Sequence, residues 1–280
     1  MTPRELLKAL AIELDAAGVP DALIDASLLL AHVTGKNAMN LRLDSWSQVS
    51  AADESAVRAL CEKRKARTPL QYLTHVQSFL GRDFHVDERV LIPRPETELL
   101  AERAIALLKE QNPGSLTALD LCCGSGCLAI SMALGVPQAD VHAADLSEGA
   151  LEVTRMNAER LGAKVTLHQG DLFGALDVPP LYHLIVSNPP YIPARECLTL
   201  QEEVRREPHM ALDGGADGLD FYRRIAAKAP RHLHAGGTLL MEVGWDQAQT
   251  VMQLCAHAGL TPVHIHEDYQ HIQRIVEARL

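Results

Sequence analysis

The hydrophobic pattern changes period along the chain. Up to about residue 77 apolar positions recur at helical spacing. Leu6, Leu7, Leu10 and Leu14 form one stripe, spaced three and four residues apart as one helix face requires. Thr2-Pro3-Arg4-Glu5 before it is a capping box with proline in the first turn, and Gly18 ends it. Asp21 opens a second helix through Leu28, Leu29 and Val33 to Gly35. Ser50-Ala51-Ala52-Asp53 starts a third, which runs into Glu62-Lys63-Arg64-Lys65-Ala66-Arg67. No strand pattern occurs before about residue 78. Phe79, Phe84, Val86, Val90, Leu91 and Ile92, around Gly81 and Asp87-Glu88-Arg89, then predict a hairpin. Pro93-Arg94-Pro95-Glu96 stiffens the start of a helix from about Glu96 to Gln111.

After Asn112-Pro113-Gly114 strand and helix signals alternate. Strands are expected at Leu116–Leu121, Val141–Ala144, Val165–His168, Leu184–Ser187 and Thr238–Val243. Between them come helices through Ile130, over Ser147–Leu161 and over Leu219–Leu233, and a further helix over Asp246–Ala258 follows. Val263–His266 and Ile272–Ala278 read as a closing strand pair, with His264 and His266 on one solvated face. The alternation predicts an α/β fold with a mostly parallel, doubly wound sheet and an antiparallel edge. Three parts result: a helical domain over 1–77, a hairpin linker over 78–94 and an α/β domain over 95–280.

Composition narrows the function. The 280 residues are 47% apolar and 22% charged, which supports a packed core and excludes wholesale disorder. A net charge of −10 argues against a broad nucleic-acid footprint. No apolar run reaches the roughly 18 residues of a membrane span, and the N-terminus lacks the pattern of a secretory signal. A soluble, cytoplasmic protein is expected. Cys122, Cys123 and Cys127 cluster, but the second cysteine pair of a zinc site is missing, so no metal is expected.

The most informative chemistry lies at Asn188-Pro189-Pro190-Tyr191, just after an apolar strand. Asn offers a side-chain oxygen, Pro189 a carbonyl without an N–H of its own, and Tyr191 a flat ring. Two acceptors converging on one NH2 group point to chemistry on an amide or exocyclic amine nitrogen. The cofactor half centres on Asp120-Leu121-Cys122-Cys123-Gly124-Ser125-Gly126, a turn that opens a helix. Leu128 and Ala129 break the dinucleotide fingerprint, which disfavours a pyrophosphate there. Asp145 ends the second strand, where an acid binds ribose hydroxyls, and Gly170-Asp171-Leu172-Phe173 ends the third, where a ring could cover an adenine. Asp120 would attract a cationic group. Each acid alone would serve equally as a helix cap. Together, at successive strand ends, they fit a nucleoside cation such as S-adenosylmethionine better than NAD or ATP.

With these residues placed, nearly the whole chain resembles the HemK/PrmC family, which methylates a glutamine side-chain amide in peptide chain release factors. The resemblance rests on PLQYLT at 69–74, FLGRDFHVDERVLIPRPETE ending at Glu98, the Gly124-Ser125-Gly126 turn, GDLF at 170–173 and SNPPYIP at 187–193. Glu207-Pro208, DGLDFYR at 217–223 and EVGWDQ at 242–247 add to it. It implies a class I S-adenosylmethionine-dependent methyltransferase fold, Rossmann-like with a seven-stranded mixed sheet, behind an N-terminal helical domain that recognises substrate. Cofactor contacts would come from Asp120, Cys122, Cys123, Gly124, Ser125, Gly126, Asp145, Asp171, Phe173 and Asn188. Asn188, Pro189, Pro190 and Tyr191 would hold the glutamine of a Gly-Gly-Gln motif in a class 1 release factor. The implied enzyme is a monomer that binds neither DNA nor membrane. The chain departs from the family at Cys122-Cys123, where Gly-Thr is usual and where a cysteine fits if φ stays negative. His75 stands where glycine is common and His183 where aspartate is. A ribosomal-protein glutamine methyltransferase, closer at that turn, and an N6-adenine DNA methyltransferase, which shares the tetrapeptide, remain the alternatives.

Overall fold

The computed structural model describes residues 1–111, 116–176 and 181–280; the expected break at Asn112-Pro113-Gly114 lies outside them. The chain divides into two compact units, residues 1–76 with 201–206, and residues 77–200 with 207–280. A boundary at residue 77 alone assigns 201–206 to the α/β part, whereas the structure groups them with the helices. Glu203 explains why, since it accepts from Arg64 at 2.9 Å and from Arg67 at 2.7 Å. Arg206 adds a bond to the Ala66 carbonyl at 3.0 Å.

In the first unit, helices α1 (Pro3–Ala16), α2 (Ala22–Thr34), α3 (Ala38–Leu43), α4 (Ala51–Lys65) and α5 (Leu70–Thr74) surround Leu6, Leu10, Leu14, Leu29, Leu30 and Val57. The Thr2 capping box forms on both sides, with Thr2 bonded to the Glu5 N–H and Glu5 to the Thr2 N–H. The short α3 and α5 escape the periodicity because one turn or so carries too few apolar positions to show it. Within the basic run at 62–67, Arg64 and Arg67 both pair with carboxylates of this unit. Arg64 is buried and donates to Asp25 at 2.7 Å as well as to Glu203, so two of the run's cations are neutralised within the unit.

The second unit opens with a two-stranded hairpin, β1 (Val76–Phe79) and β2 (Arg82–His85). It ends sooner than expected, and the segment 86–94 has no strand. Helix α6 (Pro95–Glu110) leads to β3 (Leu116–Leu121), α7 (Cys127–Gly135), β4 (Ala139–Asp145), α8 (Glu148–Leu161), β5 (Thr166–Gln169) and β6 (Tyr182–Ser187). The one-turn α9 (Ala194–Cys197), α10 (Asp220–Lys228), β7 (Leu233–Glu242), α11 (Ala248–His257), β8 (Thr261–Glu267) and β9 (Gln273–Arg279) complete it. The strands form one seven-stranded sheet in the order β5-β4-β3-β6-β7-β9-β8. Neighbours from β5 to β7 are parallel, and β9 runs antiparallel to both β7 and β8. β7 begins five residues before the expected Thr238, where the Tyr182–Leu233 pairing precedes a register shift.

Alternate strand positions feed two cores. Ala118, Leu184, Val186 and Leu240 pack with Leu100, Leu107 and Ile130 of α6 and α7 on one face. Leu119, Leu121, Ile185 and Met241 pack with Tyr222, Ile225 and Val251 of α10 and α11 on the other. That is the period of two expected of strands covered by helices on both sides. The order places β3 between β4 and β6, so the chain crosses the sheet in opposite directions from this strand, and a crevice opens beyond the strand ends.

One charge sits wholly inside this frame. Glu277 on β9 is buried and accepts two bonds from Arg103 of α6, at 2.9 and 3.1 Å, with His266 Nε2 2.9 Å away. His266 is therefore not on a simply solvated face. Burial raises the Glu277 carboxyl, but the bonds from Arg103 and His266 outweigh it and hold the group below its ordinary value. Its contribution to stability is thus present at neutral pH and lost as pH falls through that lowered value. Arg103→Ala strands the carboxylate and should cost about 3–5 kcal/mol in urea unfolding. Adding Glu277→Gln should recover much of that loss.

Candidate active site

The turn after β3 carries two left-handed glycines and one left-handed cysteine: Cys122 at φ +62°, Gly124 at +54° and Gly126 at +79°. The negative φ anticipated for Cys122 is not what the chain adopts. The turn is gripped from behind by α8. Thr154 Oγ1 donates to the Gly124 carbonyl at 2.9 Å, and Asn157 Nδ2 to the Ser125 carbonyl at 3.0 Å. Asn157 also exchanges bonds with the His85 backbone at 2.7 and 3.0 Å, which ties the β1–β2 hairpin to the turn. Neither Thr154 nor Asn157 carries a sequence signal beyond being polar on a helix otherwise patterned for packing.

Asp145, at the end of β4, faces this turn. Its Oδ2 accepts the Gly124 N–H at 3.0 Å and its Oδ1 the Ser147 N–H at 2.9 Å. Burial raises its carboxyl above the ordinary value, against the two backbone bonds that lower it.

A cavity of about 380 Å³ lies over the ends of β3, β4, β5 and β6, lined by Cys122, Gly124, Asp145, Asp171, Asn188 and Pro190 among others. Val90 and Leu91 form another wall. Their segment is anchored where the Ile92 N–H donates to Glu207 at 2.9 Å and Arg94 pairs with the same carboxylate at 2.5 Å. Two cations also line the cavity, and both are already paired. Arg89 is held by Asp87 at 2.6 Å and Glu152 at 2.8 Å, and Arg224 by Asp171. The site therefore offers carboxylates and backbone groups rather than a free phosphate clamp, as a cationic nucleoside requires.

Asn188 and Pro190 line the cavity, with Pro189 between them in the chain; the lining does not include the Tyr191 side chain. Gln247 Nε2 donates to the Tyr191 carbonyl at 2.9 Å, and a Cβ on Gly214 would lie 2.7 Å from Tyr191 Cα. Asn188 Nδ2 donates to Thr97 Oγ1 of α6 at 3.1 Å. That leaves Oδ1 as the atom of the amide free to serve the cavity.

Three placements differ from expectation. Phe173 is buried in the core and stacked on His232 with ring centroids 4.3 Å apart, so the cavity wall at this strand end is Leu172. Phe173 follows a residue in left-handed backbone, Leu172 at φ +52°, and both side chains belong to the same core. Asp120 is fully buried beneath the turn, with Oδ2 accepting the Ala129 N–H at 3.0 Å. Burial pushes its carboxyl up to about 8, so it is largely neutral at pH 7 and supplies little attraction for a cation. Cys123, Ser125 and Gly126 shape the turn from inside rather than line the cavity.

The chain matches two protein-family profiles, the PrmC N-terminal domain over residues 5–74 and the methyltransferase small domain over residues 97–215. The release factor glutamine methyltransferase of Bordetella pertussis is 44% identical over 252 residues, covering 90% of this chain and 93% of the relative. The release factor glutamine methyltransferase of Cereibacter sphaeroides is 41% identical and covers 100% of this chain and 99% of its own. Among solved structures, a methyltransferase from Pyrococcus furiosus superposes with a TM-score of 0.55 at 20% identity, over 78% of this chain and 98% of that one. The last likeness is one of fold.

The turn yields a paired test. A Cβ on Gly126 would meet Thr154 Cγ2 at 2.6 Å, whereas one on Gly124 meets nothing within 4 Å. Both positions have positive φ, so Gly124→Ala should cost about 1 kcal/mol. Gly126→Ala should cost clearly more, about 2–4 kcal/mol with the clash added. Thermal or urea unfolding of the two variants measures the difference.

Proposed function

The chain belongs to the release factor glutamine methyltransferase family, and on that premise we propose that it transfers a methyl group from S-adenosylmethionine to N5 of a glutamine in a class 1 peptide chain release factor. The target is the glutamine of the Gly-Gly-Gln motif. The observation that carries this reading is Asn188, set at the end of β6 on the cavity wall with its amide nitrogen tied to Thr97 and its oxygen left over.

The donor set fits S-adenosylmethionine. Asp145 and the Gly124 backbone would hold its nucleoside end, and Cys122 and Leu172 would flank it. When bound, S-adenosylmethionine supplies an electrophilic methyl group on a sulfonium.

The chain's own work is on the glutamine. An amide nitrogen is a poor nucleophile because its lone pair is delocalised into the carbonyl. Asn188 Oδ1 and the Pro189 carbonyl would each accept one of its N–H bonds. Two acceptors turn the lone pair out of the amide plane, aim it, and stabilise the positive charge that develops on nitrogen. Holding the amide at this spot supplies much of the remaining rate. No general base is needed beforehand, since the proton can leave after transfer. Tyr191 supports the tetrapeptide rather than stacking on the amide, in keeping with its partly buried place against the α10–α11 core.

The DNA alternative would need a basic recognition surface, and in the basic run at 62–67 Arg64 and Arg67 are already paired with Asp25 and Glu203. Incubation with labelled S-adenosylmethionine and a release factor, a ribosomal protein or DNA separates the readings. Label should enter the release factor; label in DNA alone would overturn the proposal. Asn188→Ala should lower kcat about 10²–10³-fold, the loss typical of one preorganised transition-state contact. Cofactor affinity by calorimetry should hold, and an equal loss there would contradict the assigned role.

A further inference from the structure

Glu242 ends β7 next to the tetrapeptide and is a fully buried acid with no part in the reaction as described so far. The pairing of Ser187 with Met241 sets Asn188 beside it, and the side chains of Thr97 and Asn188 lie near enough to its carboxyl to lower its pKa. Thr97 in turn accepts the Asn188 Nδ2–H at 3.1 Å. The three residues come from α6, β7 and the loop after β6, and they meet behind the cavity wall. One carboxylate oxygen of Glu242, Oε2, is buried without a hydrogen-bond partner. A buried carboxylate with an unpaired oxygen is costly, so its place here calls for a return beyond packing.

We infer that Glu242, acting through Thr97, is the positioning residue that fixes the Asn188 amide with its oxygen toward the substrate glutamine. An ionised carboxylate only accepts, so the edge of Asn188 that meets it must be the NH2 edge. The same negative charge draws the Asn188 N–H bonds and enriches Oδ1, which strengthens the acceptor where positive charge develops. Without Glu242, Thr97 could donate to Asn188 Oδ1, and the flipped amide would present donors to a nitrogen that needs acceptors. This inference rests on the methyl-transfer reading above.

The local charges make the cluster sensitive to pH. Burial pushes the Glu242 carboxyl up to about 7, against the lowering by Thr97 and Asn188. Glu96 of α6 raises it further and Arg274 of β9 lowers it, while the hydroxyls of Tyr191 and Tyr222 and the Cys127 thiol also face it. Below that value Glu242 carries a proton and stops acting purely as an acceptor, so turnover should fall on the acid side. Stability runs the other way. A carboxyl raised in the folded state contributes most below its unfolded value, and that contribution is lost as pH rises through about 7.

The test uses the full chain, labelled S-adenosylmethionine and a release factor. If the wild-type protein labels no release-factor glutamine, the functional reading itself fails. If it does, the inference is read from kcat. Glu242→Gln and the isosteric Thr97→Val should each lower kcat about ten- to a hundred-fold, a usual range for loss of a residue that orients a reacting group. KM for the release factor and the calorimetric affinity for S-adenosylmethionine should stay near wild type. Thr97→Ser, which keeps the hydroxyl, should restore most of the rate. The acid limb of the kcat profile near pH 7 should vanish in Glu242→Gln, whose melting temperature should match or exceed wild type above that pH. Folded variants with wild-type kcat, or a loss of kcat tracked by equal losses of cofactor affinity and melting temperature, would overturn the inference.

Discussion

The turn after β3 holds its shape because α8 grips it. Residues in left-handed backbone cost energy unless their surroundings over-determine them, and three lie within five positions here. Thr154 and Asn157, one helical turn apart, bind the carbonyls of Gly124 and Ser125, and Gly126 has no Cβ to keep α8 at a distance. Asn157 spends its remaining capacity on the His85 backbone. One buried side chain thus locks the cofactor turn, the hairpin and the helix into a single arrangement. Asp145 then sits where it can reach the Gly124 N–H, and the cavity floor is set.

Four buried acids and the half-buried Asp145 show how differently the fold uses the same group. Glu277 is paired with Arg103 and lies below its ordinary pKa, so it is a structural charge. Glu207 is raised by burial despite Arg94, and it spends its oxygens anchoring the backbone before α6. Asp120 is neutral at pH 7 and caps the first turn of α7 through the Ala129 N–H. Asp145 keeps two backbone donors and a view of the cavity. Glu242 has polar side chains as neighbours and an oxygen to spare. Only the last two stand where chemistry could use them, and each is tied to a residue on the cavity wall.

Most of the scaffold was readable because it obeys local rules. The capping box at Thr2, the alternation that builds β3 to β7, and an Asn-Pro-Pro-Tyr run at a strand end all declare themselves within a few residues. The site's supports do not, because they are made by distant pairs. Asn157 meets His85 across 72 positions and Asn188 meets Thr97 across 91. Nothing near Glu242 in sequence marks it as the partner of Asn188. Phe173 was misplaced for a related reason. An aromatic residue at a strand end can face a ligand or the core, and here the distant His232 receives the Phe173 ring. The segment 201–206 joins the helical unit through Glu203, a choice made by Arg64 and Arg67 rather than by any local pattern.

The cysteines of the turn raise a chemical question that their surroundings answer. A thiolate beside an electrophilic methyl donor would itself be a methyl acceptor, because the thiolate, not the thiol, is the nucleophile. Cys122 lies on the cavity wall and Cys123 directly behind it. Burial comes first among the causes that hold both thiols well above their ordinary value, and the Asp145 carboxylate adds to it. A carboxylate that favours a cation in the cavity therefore also disfavours an anion at sulfur. The positive φ at Cys122 costs of the order of 1–2 kcal/mol relative to glycine, and the turn tolerates it because α8 fixes the backbone on either side. A cysteine pair can thus replace the usual Gly-Thr without adding a competing nucleophile, so long as Asp145 and the burial stay in place.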